Sequence, residues 1–146
     1  MTHFEDGSAY TYDPDADPIL VCAGWLARGH AYREAAVPDG FVDRLAWLCV
    51  NQLDRVYRGI HVCELCPEAS ADYVSVVCQG KKHLLGNAEI TVAAVVRTYA
   101  APNLILHYVA AHGYSPPDDF VVAAMAGAHE HRLKNWSLFV GPYWDE

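Results

Sequence analysis

The residues of this sequence best suited to chemistry are two cysteines and two histidines with the spacing of metal ligands. Cys63 and Cys66 are separated by two residues in "HVCELCP", and His107 and His112 by four in "LHYVAAHG". A tight turn directs two such thiolates at one point, and Zn²⁺ in a structural site takes four ligands at the corners of a tetrahedron. The sequence therefore predicts a Cys2His2 zinc clasp with a structural Zn²⁺, formed by Cys63, Cys66, His107 and His112.

The spacing of the two histidines sets a condition on the helix that carries them. Residues five apart lie about 140° apart around an ideal α-helix, so we expect the last turn to loosen. Gly113 follows His112 directly, and glycine tolerates such a distortion best. The 40 residues between the two ligand pairs are unlike the short spacer of a nucleic-acid finger. We expect the clasp to be part of a larger domain.

Other side chains are candidates for alternative metal ligands or for groups that contact a ligand. His61 lies two residues before Cys63 and on an extended strand would share its face, so it could replace one histidine. Cys78 and His83 flank a predicted hairpin turn and could complete a different site at the far end of that hairpin. Cys63 and Cys66 could also be a redox pair, but a redox motif precedes a helix, whereas Pro67 and a polar loop follow here.

Catalysis by the zinc would require an open coordination position. Four protein ligands close the site, whereas a catalytic site keeps one position for water. If His107 or His112 were not a ligand, a Cys2His site would remain, with Glu64 or Glu89 as the base. The deaminase pattern of His-x-Glu followed by Pro-Cys-x-x-Cys is not met, and no other hydrolase or phosphate-binding motif is present. The sequence favours a structural zinc and a protein that is not an enzyme.

Composition and charge limit the class of partner. Ten basic residues against eighteen acidic ones give a net charge of −8, so nucleic acid is an unfavourable partner. An acidic surface can instead steer a basic protein. The first residues lack the features of a signal peptide, and no apolar run is long enough to span a membrane. Five cysteines, an odd number, agree with a cytoplasmic protein whose thiols stay reduced.

The first half of the chain predicts a turn-rich segment, a short strand and a helix. Residues 1–24 are rich in turn residues, and "ILVCAGWL" over 19–26 is typical of a buried strand. A helix is predicted to open at Pro38-Asp39 and to end near Asn51. Its apolar stripe has helical spacing, and consists of Phe41, Leu45, Leu48 and Cys49.

The second half predicts a hairpin, two helices and an aromatic tail. Residues 72–78 and the alternating run 88–99 are expected to pair as an antiparallel hairpin across the turn "QGKKHLLGN", with Ile90, Val92, Ala94 and Val96 on one face. Pro102 suits the first turn of the histidine helix and Gly113 its end. Ser115 or a neighbouring residue is the expected N-cap of a next helix whose stripe runs from Phe120 to Ala128. The tail, 129–146, is predicted to be a final strand or a cover over the core.

Three segments resemble an uncharacterised family of small bacterial proteins. The segments are "YRGIHVCELC", "APNLILHYVAAHGYSPP" and, upstream, "GWLARGHAY". The family motifs are Gly-x-His-x-Cys-x-x-Cys and His-Tyr-Val-x-x-His-x-Tyr-x-Pro-Pro, and the similarity extends over residues 4–124. The resemblance implies that Cys63, Cys66, His107 and His112 form one group with His61 nearby, and it implies no activity.

These observations predict a single zinc-binding α+β domain over residues 1–146, with helices packed on one face of a small antiparallel sheet. The function favoured is a non-enzymatic binding protein, either an immunity-type inhibitor or a regulatory adaptor for another protein. The aromatic pair Tyr143 and Trp144 supports this function as a possible contact surface. The alternative is a zinc-dependent hydrolase or lyase with an open Cys2His site.

Overall fold

The computed structural model describes residues 2–126 and 131–143, and its architecture is α+β, as predicted. The helices of the described residues are α1 (Phe41–Asn51), α2 (Ile105–His112) and α3 (Asp118–Met125). The strands are β1 (Leu20–Cys22), β2 (Arg55–Val56), β3 (Val74–Cys78), β4 (Lys81–Leu85), β5 (Ala88–Ala93), β6 (Thr98–Pro102) and β7 (Trp136–Val140). A short 3₁₀ turn covers Glu68–Ser70.

The strands form two small sheets that are mainly antiparallel. The four-stranded sheet has the order β1-β6-β5-β2, in which only β1 and β6 run parallel. The three-stranded sheet has the order β4-β3-β7 and is antiparallel throughout. The predicted class is thus confirmed, with the strands divided between two sheets.

The main core lies between the helices and the inner faces of both sheets. The predicted stripe of α1 is confirmed, because Phe41, Leu45, Leu48 and Cys49 are all buried. Residues four apart share one face of a helix, so this stripe can contact α2, α3 and β5 together. The same cluster includes Ile90 of β5 and Val74 and Val76 of β3. The two helices that follow the sheet are therefore held to the first half of the chain by α1.

A second, smaller apolar layer covers the other face of the four-stranded sheet. It is built by the N-terminal segment and consists of Tyr10, Leu20, Cys22, Trp25 and Ala100, with Phe4, Tyr12 and Ala16 packed at its margin. The predicted strand over 19–26 is shorter than expected, because it ends at Cys22. Gly24 takes a left-handed φ of 77°, and a Cβ there would lie 2.7 Å from the side chain of Ile105. The chain turns at this point against α2.

The predicted hairpin between residues 72–78 and 88–99 is wrong. The segment expected as a turn contains β4, and β3 pairs with β4 through a two-residue loop in which Gln79 and Gly80 have φ of 53° and 74°. Two positive φ values are typical of the tight turn that matches strand twist. The run 88–99 breaks after Ala93 into β5 and β6, so Val96 is exposed rather than on the buried face. The apolar residues of the sequence continue to alternate through this second turn, so the alternation gave no sign that the strand ends there.

The boundaries of the last two helices also differ from expectation. Pro102 ends β6, and α2 begins only at Ile105. Ser115 is not an N-cap: its N–H bonds to the carbonyl of Arg33 at 2.9 Å, and Pro117 precedes α3 with no side-chain cap. Gly113 ends α2 with φ 70°, as predicted.

The predicted tail is a final strand where the structure describes it, namely β7. Ala128 of the predicted stripe, residues 129–130 of the tail and Trp144 lie outside the described residues. Within the described ranges, no helix is both long and apolar enough to cross a membrane.

Candidate metal centre

The two cysteines and two histidines predicted as ligands come together at one point. Cys66 Sγ lies 3.2 Å from His107 Nε2 and 3.5 Å from His112 Nε2. Cys63 Sγ lies 3.5 Å from His112 Nε2, and the two Nε2 atoms are 3.2 Å apart. All four donor atoms lie within 4.8 Å of one another, so the cluster could hold a metal ion.

The cysteine pair is held by a loop whose backbone turns towards the sulfur of Cys63. The N–H groups of Leu65 and Cys66 face this sulfur and favour its thiolate, although burial dominates and raises the pKa of the Cys63 thiol to about 11. Cys63 is buried, and Cys66 is partly exposed. The loop therefore presents one thiol from the core and one from the surface to the same point.

The histidine pair depends on a widened last turn of α2. The N–H groups of Gly113 and Tyr114 both bond to the carbonyl of Tyr108, five and six residues back, in place of the usual four. A hydrogen bond to the fifth residue back widens the helical turn, so that side chains five positions apart come closer to one face of the helix. The rings of His107 and His112 are thus 4.9 Å apart with planes at 77°, and both direct Nε2 at the cysteines. This is the loosening that the histidine spacing predicted.

The pKa values at the cluster show what an ion would change. Burial, with a smaller contribution from His112, lowers the pKa of His107 to about 4. Near neutral pH and without a cation, His107 is therefore a neutral ring and Cys63 a protonated thiol. A divalent cation reverses the preference of the thiol, because a coordinating cysteine is deprotonated. Neutral imidazoles and thiolates are the forms that bind metals of the zinc type.

A segment that the sequence did not assign to the site holds it from one side through hydrogen bonds. The Arg28 guanidinium donates to the carbonyl of Cys66 at 3.3 Å and to Glu68 Oε1 at 3.0 Å. The Tyr32 hydroxyl donates to the carbonyl of His112 at 3.0 Å. Both residues belong to "GWLARGHAY", the upstream segment of the resemblance, which was the available signal for their role.

A buried amide connects the histidine helix to the cysteine loop from the other side. Asn103, fully buried just before α2, accepts the N–H of Gly86 at 2.8 Å. The carbonyl of Gly86 in turn accepts the N–H of His61 at 2.9 Å. A Cβ on Gly86, whose φ is 98°, would collide with the carbonyl oxygen of His61. Only glycine fits this contact, and the contact fixes the chain two residues before Cys63.

His61 and Glu64, the two nearest alternatives, have other partners. The ring of His61 lies 3.3 Å by Nε2 from the Tyr12 hydroxyl and is not part of the cluster. A Glu64 carboxylate oxygen accepts the backbone N–H of Arg28 at 3.2 Å. His61 is close to the cluster residues in the sequence, as the resemblance implies, but its side chain contacts the N-terminal layer.

Glu89 lies in a separate buried network. It lies on the face of its strand opposite to Ile90 and Val92, but the N-terminal layer covers that face and leaves Glu89 only 1% exposed. Its carboxylate accepts hydrogen bonds from the hydroxyls of Tyr10 (2.7 and 2.8 Å) and Tyr57 (2.7 Å) and from Arg55 Nε (2.6 Å). Tyr10 belongs to the N-terminal layer, whereas Arg55 lies on β2 and Tyr57 directly follows it, so this network ties the layer to the sheet.

Cys78 and His83 do not meet the four-residue cluster. They line a depression of about 280 Å³ together with Lys81, on the face of the three-stranded sheet that looks towards the end of α1. In the described ranges the one group of three or more metal-type side chains is the Cys2His2 cluster. No further metal-type side chain of the described residues joins these two, and a second site at them stays a prediction.

The chain is similar to a protein family over most of its length. No curated protein and no solved structure matches it. A family model does match over residues 2–125, a range that contains all four cluster residues. The expected membership of an uncharacterised family is confirmed at this level, while the motif definitions and the bacterial source stay predictions. The matching family is described as a domain of unknown function (DUF7919), and the chain belongs to it.

Proposed function

We propose that the chain is a small zinc-stabilised binding protein that acts on another protein without catalysis. The observation that carries the proposal is the spacing of the four donor atoms. A zinc ion with Zn–N near 2.0–2.1 Å and Zn–S near 2.3 Å has tetrahedral edges of about 3.3–3.4 Å between nitrogens and about 3.5–3.6 Å between nitrogen and sulfur. The distances of 3.2 to 3.5 Å are close to these values.

The ligand set supports zinc and a closed site. Two thiolates and two imidazoles in a tetrahedron are typical of zinc among the common divalent metals. Four protein ligands leave no coordination position for water, and a hydrolytic zinc needs one. The acids considered as bases, Glu64 and Glu89, are both hydrogen-bonded elsewhere. A structural role for the Zn²⁺ follows from this combination.

The charge of the chain supports a protein partner with a basic surface. A net charge of −8 steers positively charged proteins towards it and repels nucleic acid. An immunity-type inhibitor and a regulatory adaptor both fit such a surface. All five cysteines are unpaired, which supports a reducing compartment such as the cytoplasm as the place of action.

The test of the zinc site is X-ray absorption at the zinc edge, with metal stoichiometry from the same sample. We expect one zinc per chain with two sulfur and two nitrogen ligands. Cys66→Ser should lose or strongly weaken the metal, and Cys78→Ser, a buried thiol outside the cluster, should keep it. Two sulfurs, one nitrogen and an oxygen would instead indicate an open Cys2His site and refute the closed one.

The test of the binding role is affinity capture with the intact zinc-loaded chain. We expect a stoichiometric protein partner with a basic surface, and weaker capture at high salt because charge contributes to association. Capture should be retained by Cys78→Ser and lost with the metal in Cys66→Ser. Repeated capture with no stoichiometric protein, from a chain shown to be zinc-loaded, would contradict this role.

A further inference from the structure

The most exposed large apolar side chains of the described residues lie together on one part of the surface. Val95 and Val96 are 103% and 89% exposed, and Val122 is 70% exposed. The first two form the loop between β5 and β6, and Val122 lies on α3. Single exposed valines are ordinary on a protein surface, but a group of this kind marks a contact site.

The residue types in this loop are not those that a tight hairpin favours. Ala94 N–H bonds to the carbonyl of Arg97 at 2.9 Å, so Val95 and Val96 are the two central residues of a tight hairpin. Such loops favour Asn-Gly or Gly-containing pairs with positive φ, and both valines keep negative φ. Two β-branched residues here therefore favour neither the turn nor solubility. Residues that break a local rule in this way point to a role outside the folding of the chain.

A shallow apolar groove lies directly beside the loop. It has a volume of about 350 Å³, and its lining includes Val95 and Val96 of the loop and Asp119, Val122 and Ala123 of α3. The projecting loop and the receiving groove thus share one patch. A two-fold dimer needs this property, because the same patch must serve as both halves of the contact.

The charges around the patch also suit a second copy of the chain. Asp119 is the one acid lining the groove, and Arg97 Nε lies 3.2 Å from its carboxylate, so the rim is neutral. Elsewhere the net charge of −8 makes two copies repel each other. A neutral apolar face with one cation and one anion at its rim allows close approach, and a two-fold axis can place Arg97 of one copy near Asp119 of the other.

We propose that this patch is a homodimer contact in which the Val95–Val96 loop of each copy enters the groove beside Val122 of the other. The three valines expose roughly 400 Å² per copy, about half of what each partner contributes to a standard stable interface. An interface of this size is typical of weak, transient association, so we expect a dimer that forms only in the upper part of the micromolar range. The inference is independent of the zinc site and of the protein partner proposed above.

Sedimentation equilibrium of the zinc-loaded chain tests the dimer over a concentration range of about 1 to 500 µM, chosen to bracket the expected Kd. We expect a monomer at the low end and a dimer at the high end. Val96→Asp and, separately, Val122→Asp should weaken the dimer at least tenfold by placing charge in the contact. Val56→Asp is the matched control, since Val56 is 65% exposed on β2, away from the patch, and should leave the Kd unchanged.

Two results would overturn the proposal. A wild-type chain that stays monomeric at the highest concentration would do so, including one whose patch instead binds neutral lipid vesicles or a different protein. A dimer of unchanged Kd in both Val96→Asp and Val122→Asp, with zinc content and thermal unfolding as in the wild type, would place the contact elsewhere. Neither result bears on the zinc ligands, which X-ray absorption tests separately.

Discussion

Removal of the metal should lower the stability of the domain by a measurable and limited amount. The four donor atoms join the loop at Cys63 and Cys66 to the end of α2, two segments that are otherwise held through Asn103, Gly86 and Arg28 contacts. The main core around α1 is mostly apolar packing, with Cys63 as the one cluster residue among its buried side chains. We therefore expect the metal-free chain to stay folded at low temperature and to unfold at a lower temperature than the zinc-bound chain.

The size of the effect follows from linkage. An ion that binds the folded chain alone, at a free concentration of 1,000 times its Kd, adds about 4 kcal/mol to the free energy of unfolding. For a chain of 146 residues, 1 kcal/mol corresponds to a shift in Tm of about 2–4 °C, so the expected loss is about 10–15 °C.

The assay is thermal unfolding by circular dichroism with and without a strong chelator, with the metal content measured after treatment. Cys66→Ser should show a low Tm in both conditions, and Cys78→Ser should keep the full chelator-dependent shift. A Tm that does not change in chelator, in a sample shown to contain no metal, would refute the structural role of the ion. A metal-free chain with no cooperative unfolding at any temperature would refute the independence of the main core.

Three substitutions test one contact beside the cluster and two buried or half-buried groups away from it. Gly86→Ala forces a Cβ against the His61 carbonyl, and it should cost about 2 kcal/mol or more of stability and reduce zinc content; normal values of both would contradict the close approach. Glu89→Gln leaves the Arg55 cation without its buried counter-charge, so urea unfolding should show a loss of about 3 kcal/mol, and a loss under ~1 kcal/mol would mean that the pair is solvated. Burial lowers the pKa of His83 below its ordinary 6.5, so the unfolded chain binds the proton more readily and stability falls as pH drops below 6.5. His83→Gln should make urea midpoints at pH 7.5 and 5.5 differ less than in the wild type, and an equal or larger difference would contradict the shift.

The cluster could be predicted from the sequence because the spacing of metal ligands is partly a property of short segments of the chain. A Cys-x-x-Cys turn and two histidines at the end of a helix restrict their own geometry, and Gly113 marked the distorted turn that both rings need. The stripe of α1 was predictable for the same reason, since one helix face repeats with a fixed period.

Strand partners could not be predicted, because pairing depends on distant segments. β4 carries "KKHLL", which has little apolar alternation, and it is a strand because it lies against β3. Glu89 alternates with apolar residues, a pattern typical of a side chain in solvent, but Tyr10 and its neighbours cover it. The contact of Arg28 with the carbonyl of Cys66 and that of Asn103 with the N–H of Gly86 also join distant parts of the chain, and residue type alone gives no sign of them.

The position of β7 limits how the family domain can be isolated. The matching region ends at residue 125, but β7 over 136–140 pairs with β3 along its whole length. A fragment cut at residue 125 would keep Cys63, Cys66, His107 and His112 and should still bind metal. It would also open one side of β3, and an unpaired row of backbone N–H and C=O groups is a template for pairing with other chains. Such a fragment should aggregate at concentrations where the longer chain stays dispersed, so expression boundaries for this protein belong beyond β7.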